Sequence, residues 1–162
     1  MLKNLLLIAL LSISTFGVEI VVDKTIKKLD FKIEKKSTLK RNDIKEVVND
    51  STTGLMWQDD DRAKSVKKDW DNAKSYCQNL THTDYDDWYL PSIKELEVLI
   101  DITKYNPAIK QVFKNIISSY YWSSLPSVSD SKYAWDVNFM YGHSYSYSRK
   151  NGRYVRCVRA GQ

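Results

Sequence analysis

The 162-residue chain is poor in the residues that would announce a chemistry. It holds two cysteines, Cys77 and Cys157, and two histidines, His82 and His143. The cysteine spacing makes neither a CxxC redox motif nor a zinc site. Both histidines lie in polar stretches without a paired serine or cysteine motif, so no nucleophile–base arrangement is visible. There are no internal repeats and no low-complexity tracts. The one long apolar run, Leu5 to Ile13, is about half of what a membrane-spanning helix needs. The absence of a cysteine near its end argues against a lipoprotein anchor.

That apolar run follows Lys3 and ends in the small residues Thr15-Phe16-Gly17, the pattern of a secretory signal at residues 1–17. An uncleaved N-terminal anchor is the alternative. Export implies a periplasmic, secreted or cell-surface location, with no membrane span after cleavage and no nucleic acid as partner. In an oxidising compartment an even pair of cysteines is most simply a disulfide; two free thiols doing redox or metal work is the other reading. The formal charge is +5. Lysines interleaved with acids crowd residues 24–45, and Arg149, Lys150, Arg153, Arg156 and Arg159 form a second group with no acid among them. That group is read either as a site for an extracellular polyanion or, more plainly, as a solvated basic strand.

Residues 18–41 read as an N-terminal leader or edge segment, and residues 42–162 as one domain. The domain opens with a hairpin signal, Glu46–Asp50 and Leu55–Trp57 around a polar turn containing Gly54. Gln58 to Lys68 reads as a polar loop. Asp69 is placed to cap a helix over residues 70–80, with Trp70, Ala73, Cys77 and Leu80 on one face. Ser92 and Glu95 have capping-box spacing at the start of a second helix, whose buried face is Ile93, Leu96, Leu99 and Ile100. Asn106-Pro107 restarts a short helical turn through Ile109, Val112 and Phe113. The period then changes to two: Tyr120 to Ser124, Tyr133 to Phe139, Tyr141 to Ser148, and, after an Asn151-Gly152 hairpin turn, Arg153 to Arg159. Hairpin, two helices and antiparallel strands make an α+β domain. The five tryptophans read as core, with Trp122 and Trp135 the candidates for exposure.

Six motifs occur in order: Thr53-Gly54-Leu55-Met56-Trp57; Trp70-Asp71-Asn72-Ala73 through Tyr76-Cys77 to Leu80; Asp87-Trp88-Tyr89-Leu90-Pro91-Ser92 with Glu95-Leu96; Tyr121-Trp122-Ser123-Ser124; Ala134-Trp135 with Val137 and Phe139; and Tyr154 to Arg159. Together they resemble the Lcl C-terminal domain family over residues 46–159. Tyr89 departs from the Arg usual there, removing an internal salt bridge, and Ser92 from the commoner Thr. The resemblance implies a C-type-lectin-like fold, similar also to the sulfatase-modifying-factor group: two helices on a small mainly antiparallel sheet, with a disulfide Cys77–Cys157 from the first helix to the last strand.

Three chemistries are weighed on these residues. Calcium is possible if Asp84, Asp86 and Asp87 converge with Asp59, Asp60 and Asp61. The proline-centred sugar-binding triplets of calcium lectins are absent, however, and Asp87 fits a role accepting hydrogen bonds in the turn before Pro91. No other cofactor is expected. Catalysis by cysteine oxidation lacks a nucleophile once both cysteines are bonded, so the domain is read as non-catalytic. Ligand binding has the best motif. Tyr141, His143, Tyr145 and Tyr147, spaced by Gly and Ser, offer flat rings at low entropic cost, with Trp135, Asp136, Asn138 and Arg149 adjoining and Asp136 and Asn138 as acceptors on the neighbouring strand's polar face. Cross-strand packing is the competing use of Tyr145 and Tyr147. The expected function is an exported binding module for a glycan or an envelope or extracellular protein. The alternative is a structural adaptor of the cell envelope that contacts its neighbour through the Lys-rich segment.

Overall fold

A computed structural model describes residues 38–161. The leader at 1–17 and the Lys-rich segment up to residue 37 lie outside the described residues. The elements in order are β1 (Leu39–Asn42), β2 (Val47–Asp50), β3 (Leu55–Gln58), α1 (Arg62–Ser65), β4 (Lys67–Lys68), α2 (Trp70–Gln78), α3 (Ile93–Glu97), β5 (Tyr120–Pro126), β6 (Tyr133–Asn138), β7 (His143–Ser148), β8 (Arg153–Tyr154) and β9 (Val158–Ala160). They form an α+β domain with two sheets, ordered β1-β2-β3-β9 and β4-β8-β5-β6-β7. All strand pairs are antiparallel except β5 with β8.

Local chemistry explains the helices. Asp69 caps α2 by accepting from the Asn72 N–H at 2.9 Å. Trp70, Ala73, Cys77 and Leu80 are buried at helical spacing. Ser92 and Glu95 close the capping box in both directions: Ser92 Oγ accepts from the Glu95 N–H, and the Ser92 N–H donates to Glu95 Oε2. The residues ahead of α3 join the two sheets. Tyr89 exchanges backbone hydrogen bonds with Val158 at 2.8 and 3.0 Å, while the Ser124 N–H donates to the Pro91 carbonyl at 2.7 Å. Cys77 and Cys157 are disulfide-bonded, which fastens α2 to the residue just before β9.

Five sequence expectations need correction. The domain begins before residue 42, because β1 pairs Leu39 with Asp50 and buries Leu39 in the core. Residues 58–68 are not a loop but hold α1 and β4. Residues 107–113 form no helix. Their backbone groups pair with neighbours instead, the Ala108 N–H with the Phe139 carbonyl and the Lys110 N–H with the Leu99 carbonyl. Residues 153–159 are not one strand: β8 pairs with β4 and β5, and β9 closes the other sheet. Asn151-Gly152 does not join β7 to a hairpin partner, since the turn is closed two residues earlier, around Arg149-Lys150, by the Asn151 N–H on the Ser148 carbonyl.

The core has two parts. One gathers Trp70, Cys77, Trp88, Trp122 and Ala134; the other gathers Trp57, Leu96, Leu99, Tyr121, Val137 and Phe139. β6 therefore faces packed side chains on both sides. Trp122 is core, like Trp57, Trp70 and Trp88, and Trp135 is half-buried.

Candidate functional site

β7 is the outer strand of its sheet, and its alternation sorts the expected residues onto two faces. Asn138 pairs with His143, Asp136 with Tyr145 and Ala134 with Tyr147; Trp135 pairs with Ser146 on the opposite side. β5 continues the first face, placing Trp122 opposite Asp136 and Tyr120 opposite Asn138. β8, lying beside β5, brings Arg153 onto it.

Arg153 organises this face. Its guanidinium lies 4.5 Å from the Tyr120 ring centroid and 4.4 Å from that of Tyr147, while Nε donates to Asp136 Oδ2 at 2.8 Å. Tyr145 meets the Tyr120 ring edge-on at 6.5 Å, and His143 meets Tyr145 at 6.5 Å. At the other end Arg149 lies 4.0 Å over the Trp70 ring and donates to Asp71 at 2.6 Å. The result is a row of rings with one guanidinium set among them, Tyr147, Arg153, Tyr120, Tyr145 and His143, while Arg149 lies over Trp70. Tyr145 and Tyr147 are 46% and 47% exposed.

The expectation that Asp136 and Asn138 serve as open acceptors is corrected. They are 0% and 2% exposed, because the face expected to be polar and open is covered by Arg153 and the rings. Asp136 Oδ1 has no hydrogen-bond partner, and burial pushes the carboxyl pKa up despite the pull of Arg153. Asn138 Oδ1 accepts from the Met140 N–H and shapes the turn into β7. Tyr141 is exposed in that turn, with its ring 5.7 Å from Tyr105. His143, Tyr145 and Tyr147 thus come together, Asp136 and Asn138 lie beneath them, Arg149 is held on Trp70 and Asp71, and Trp135 and Tyr141 stand apart. Tyr120 and Arg153 were missed as members. Tyr120 was accessible from its two-residue spacing to Trp122; Arg153 was not, because it reaches the row only through the parallel placement of β8.

The model of the Lcl C-terminal domain matches residues 46–159. The chain belongs to the Lcl C-terminal domain family. No curated protein matches it. In this Lcl C-terminal domain the matched span runs from just before β2 into β9 and includes every member of the row.

The acid-free basic group is not a solvated strand, because each of its arginines meets an acid from elsewhere in the fold. Arg149 pairs with Asp71, Arg153 with Asp136, Arg156 with Asp59 and Arg159 with Asp87. The last three guanidinium groups are largely or wholly buried. Asp59 is a hub: it also takes Arg41 Nε at 2.6 Å and the N–H groups of Lys114 and Asn115. Asp60 takes Arg62 and the Gln58 amide.

These pairings occupy Asp59, Asp60 and Asp87, three of the six carboxylates weighed for calcium. Among the described residues no three His, Cys, Asp or Glu converge as a metal cluster would require. Asp87, expected to accept within its own turn, takes Arg159 Nε at 2.5 Å instead, which holds its carboxyl below the usual range. Tyr89, standing where an Arg is usual in the resemblance, donates its hydroxyl to Glu95 Oε1 at 2.9 Å. Burial and that carboxylate push its phenol up to about 12. A shallow groove of about 360 Å³ lies along α2, lined by Arg62, Lys68, Asn72, Tyr76, Asn79 and Thr81; it contains none of the expected site residues.

Proposed function

We propose that this Lcl C-terminal domain is a non-catalytic binding module of an exported protein, recognising a glycan or an envelope or extracellular protein through β7 and the strands beside it. The observation that carries this reading is the pair of half-exposed rings, Tyr145 and Tyr147, on a face anchored from beneath by Arg153 and Asp136. A flat aromatic surface whose geometry is fixed before a ligand arrives loses little conformational entropy on binding. The cross-strand contacts do not exhaust these residues, since about half of each side chain still faces solvent. The bonded cysteines support a non-catalytic role, leaving no thiol among the described residues. The apolar leader and the disulfide support a periplasmic or cell-surface location.

The test is capture of envelope and extracellular components by the full chain, with Tyr145→Ala and Tyr147→Ala as comparison and thermal melting as the check on folding. The reading requires at least one captured component to be lost from both folded variants. Identical capture by wild type and variants would reject it.

A further inference from the structure

We infer that β7 is the pairing edge of a homodimer, in which a second copy of this chain lays its own β7 antiparallel to the first about a two-fold axis at Ser146. The inference concerns the backbone edge of the strand and stands independently of the binding role proposed for its rings.

The first ground is that this edge is open. The Arg149 N–H donates to the Lys132 carbonyl at 2.9 Å, one step beyond the pair Tyr133–Ser148. Bonded and non-bonded pairs alternate along an antiparallel ladder. Tyr147, Tyr145 and His143 therefore direct their backbone groups at β6, and the N–H and C=O groups of Ser144, Ser146 and Ser148 point the other way. Among the described residues the one group that meets them is the Asn151 N–H, on the Ser148 carbonyl.

The second ground is that nothing blunts the edge. Sheet edges are ordinarily protected by short length, lysine, proline, a bulge or a covering segment. β1 carries Lys40 and Arg41, β4 is the dipeptide Lys67-Lys68, and β9 is three residues long with Val158 bonded to Tyr89. β7 has six residues in unbroken register with β6, without proline or lysine.

The third ground names the occupant. Ser144-Tyr145-Ser146-Tyr147-Ser148 reads the same in both directions. Antiparallel pairing about Ser146 sets Ser146 against Ser146, each Ser144 against a Ser148, and each Tyr145 against a Tyr147. The serine pairs exchange the outward backbone bonds, as in other cases of strand addition. The tyrosine pairs fall at the closer, non-bonded positions, where aromatic pairs stabilise a sheet. Glu97, which takes the Ser144 hydroxyl at 2.6 Å, is brought towards the second copy's Lys150 end, acid towards base. Such an isologous contact uses both edges at once and closes, leaving none for a third copy.

Sedimentation equilibrium of the full chain from about 1 μM to about 1 mM tests this, with amide hydrogen exchange as the second readout. A mass of two copies is expected at the upper end. Ser146→Pro removes an outward N–H and no bond to β6, and should raise the dissociation constant at least about 10-fold. Ser146→Lys, which sets two like charges at the axis, should do the same. Ser146→Ala keeps the N–H and should associate as wild type does. The Ser144 and Ser148 amides should exchange slowly in the dimer and fast in the lysine variant, with Tyr145 and Tyr147 slow in both. Thermal melting checks folding, and Ser146→Lys keeps the test available should Ser146→Pro fail to fold. A monomer across the whole range overturns the inference, and so does an assembly of another size. Association that every folded Ser146 variant retains overturns it too. A protected Ser146 amide in a monomer has the same force, since another part of the chain would then cover the edge.

Discussion

Arg153 donates to Asp136 at 2.8 Å from a position between the rings of Tyr120 and Tyr147, so one buried ion pair sets the geometry of the exposed aromatic face. Asp136 is wholly buried and the Arg153 side chain is 15% exposed. Removing the cation strands the carboxylate. Arg153→Ala should therefore cost about 3–5 kcal/mol, read from urea denaturation. A loss under 1 kcal/mol would mean that the pair does not hold this face together.

The pH dependence of stability should carry two opposing contributions. Asp87 is held below its ordinary 3.8 by Arg159, so its stabilisation is present above the unfolded value and lost as pH falls through the lower folded value. Asp136 is raised by burial, so the contribution of its protonated form is full below 3.8 and lost as pH rises through the raised folded value. Asp87→Asn should flatten the acid limb of a melting-temperature profile, and Asp136→Asn should flatten the segment above it. The same profile in both variants and wild type would refute the assignment.

The Asp59–Arg156 pair is the most enclosed in the domain, with both side chains 0% exposed. Arg156 also donates to the Gln58 carbonyl at 2.6 Å. Asp59→Ala strands Arg156, and the expected loss is about 3–5 kcal/mol. With Arg156→Met as the other single variant, the double variant Asp59→Ala/Arg156→Met should cost less than the sum of the two. Additive losses in the double-mutant cycle would show that the two residues act independently.

The disulfide closes a loop with a sequence separation of 80. On the chain-entropy model its loss costs about 4–5 kcal/mol. Cys77→Ala/Cys157→Ala should show that deficit as a lower denaturant midpoint, with an m-value that rises because the unfolded chain is no longer cross-linked. Equal stability of the reduced and oxidised protein would contradict it.

Legibility from sequence followed the range of the interactions. Asp69, Ser92 and Glu95 act within one turn, and each does what its spacing predicts. Cys77 and Cys157 were legible as a pair because the chain holds no other cysteine. The arginines of the last segment were misread because their acids lie far away in sequence: Asp136 is 17 residues from Arg153, and Asp59 is 97 from Arg156. β8 is two residues long and parallel to β5, a placement that no hairpin rule anticipates. The tyrosines of β7 were found by alternation, whereas their companions Tyr120 and Arg153 arrive through the sheet order.

The β7 face is where ligand is expected to sit. Hydroxyl-radical footprinting of the full chain, read by mass spectrometry before and after addition of a cell-envelope fraction, measures this at each ring. Protection is predicted at Tyr145 and Tyr147, with Tyr76 in the α2 groove unchanged. Protection at Tyr76, with Tyr145 and Tyr147 reacting as in the free protein, would contradict it.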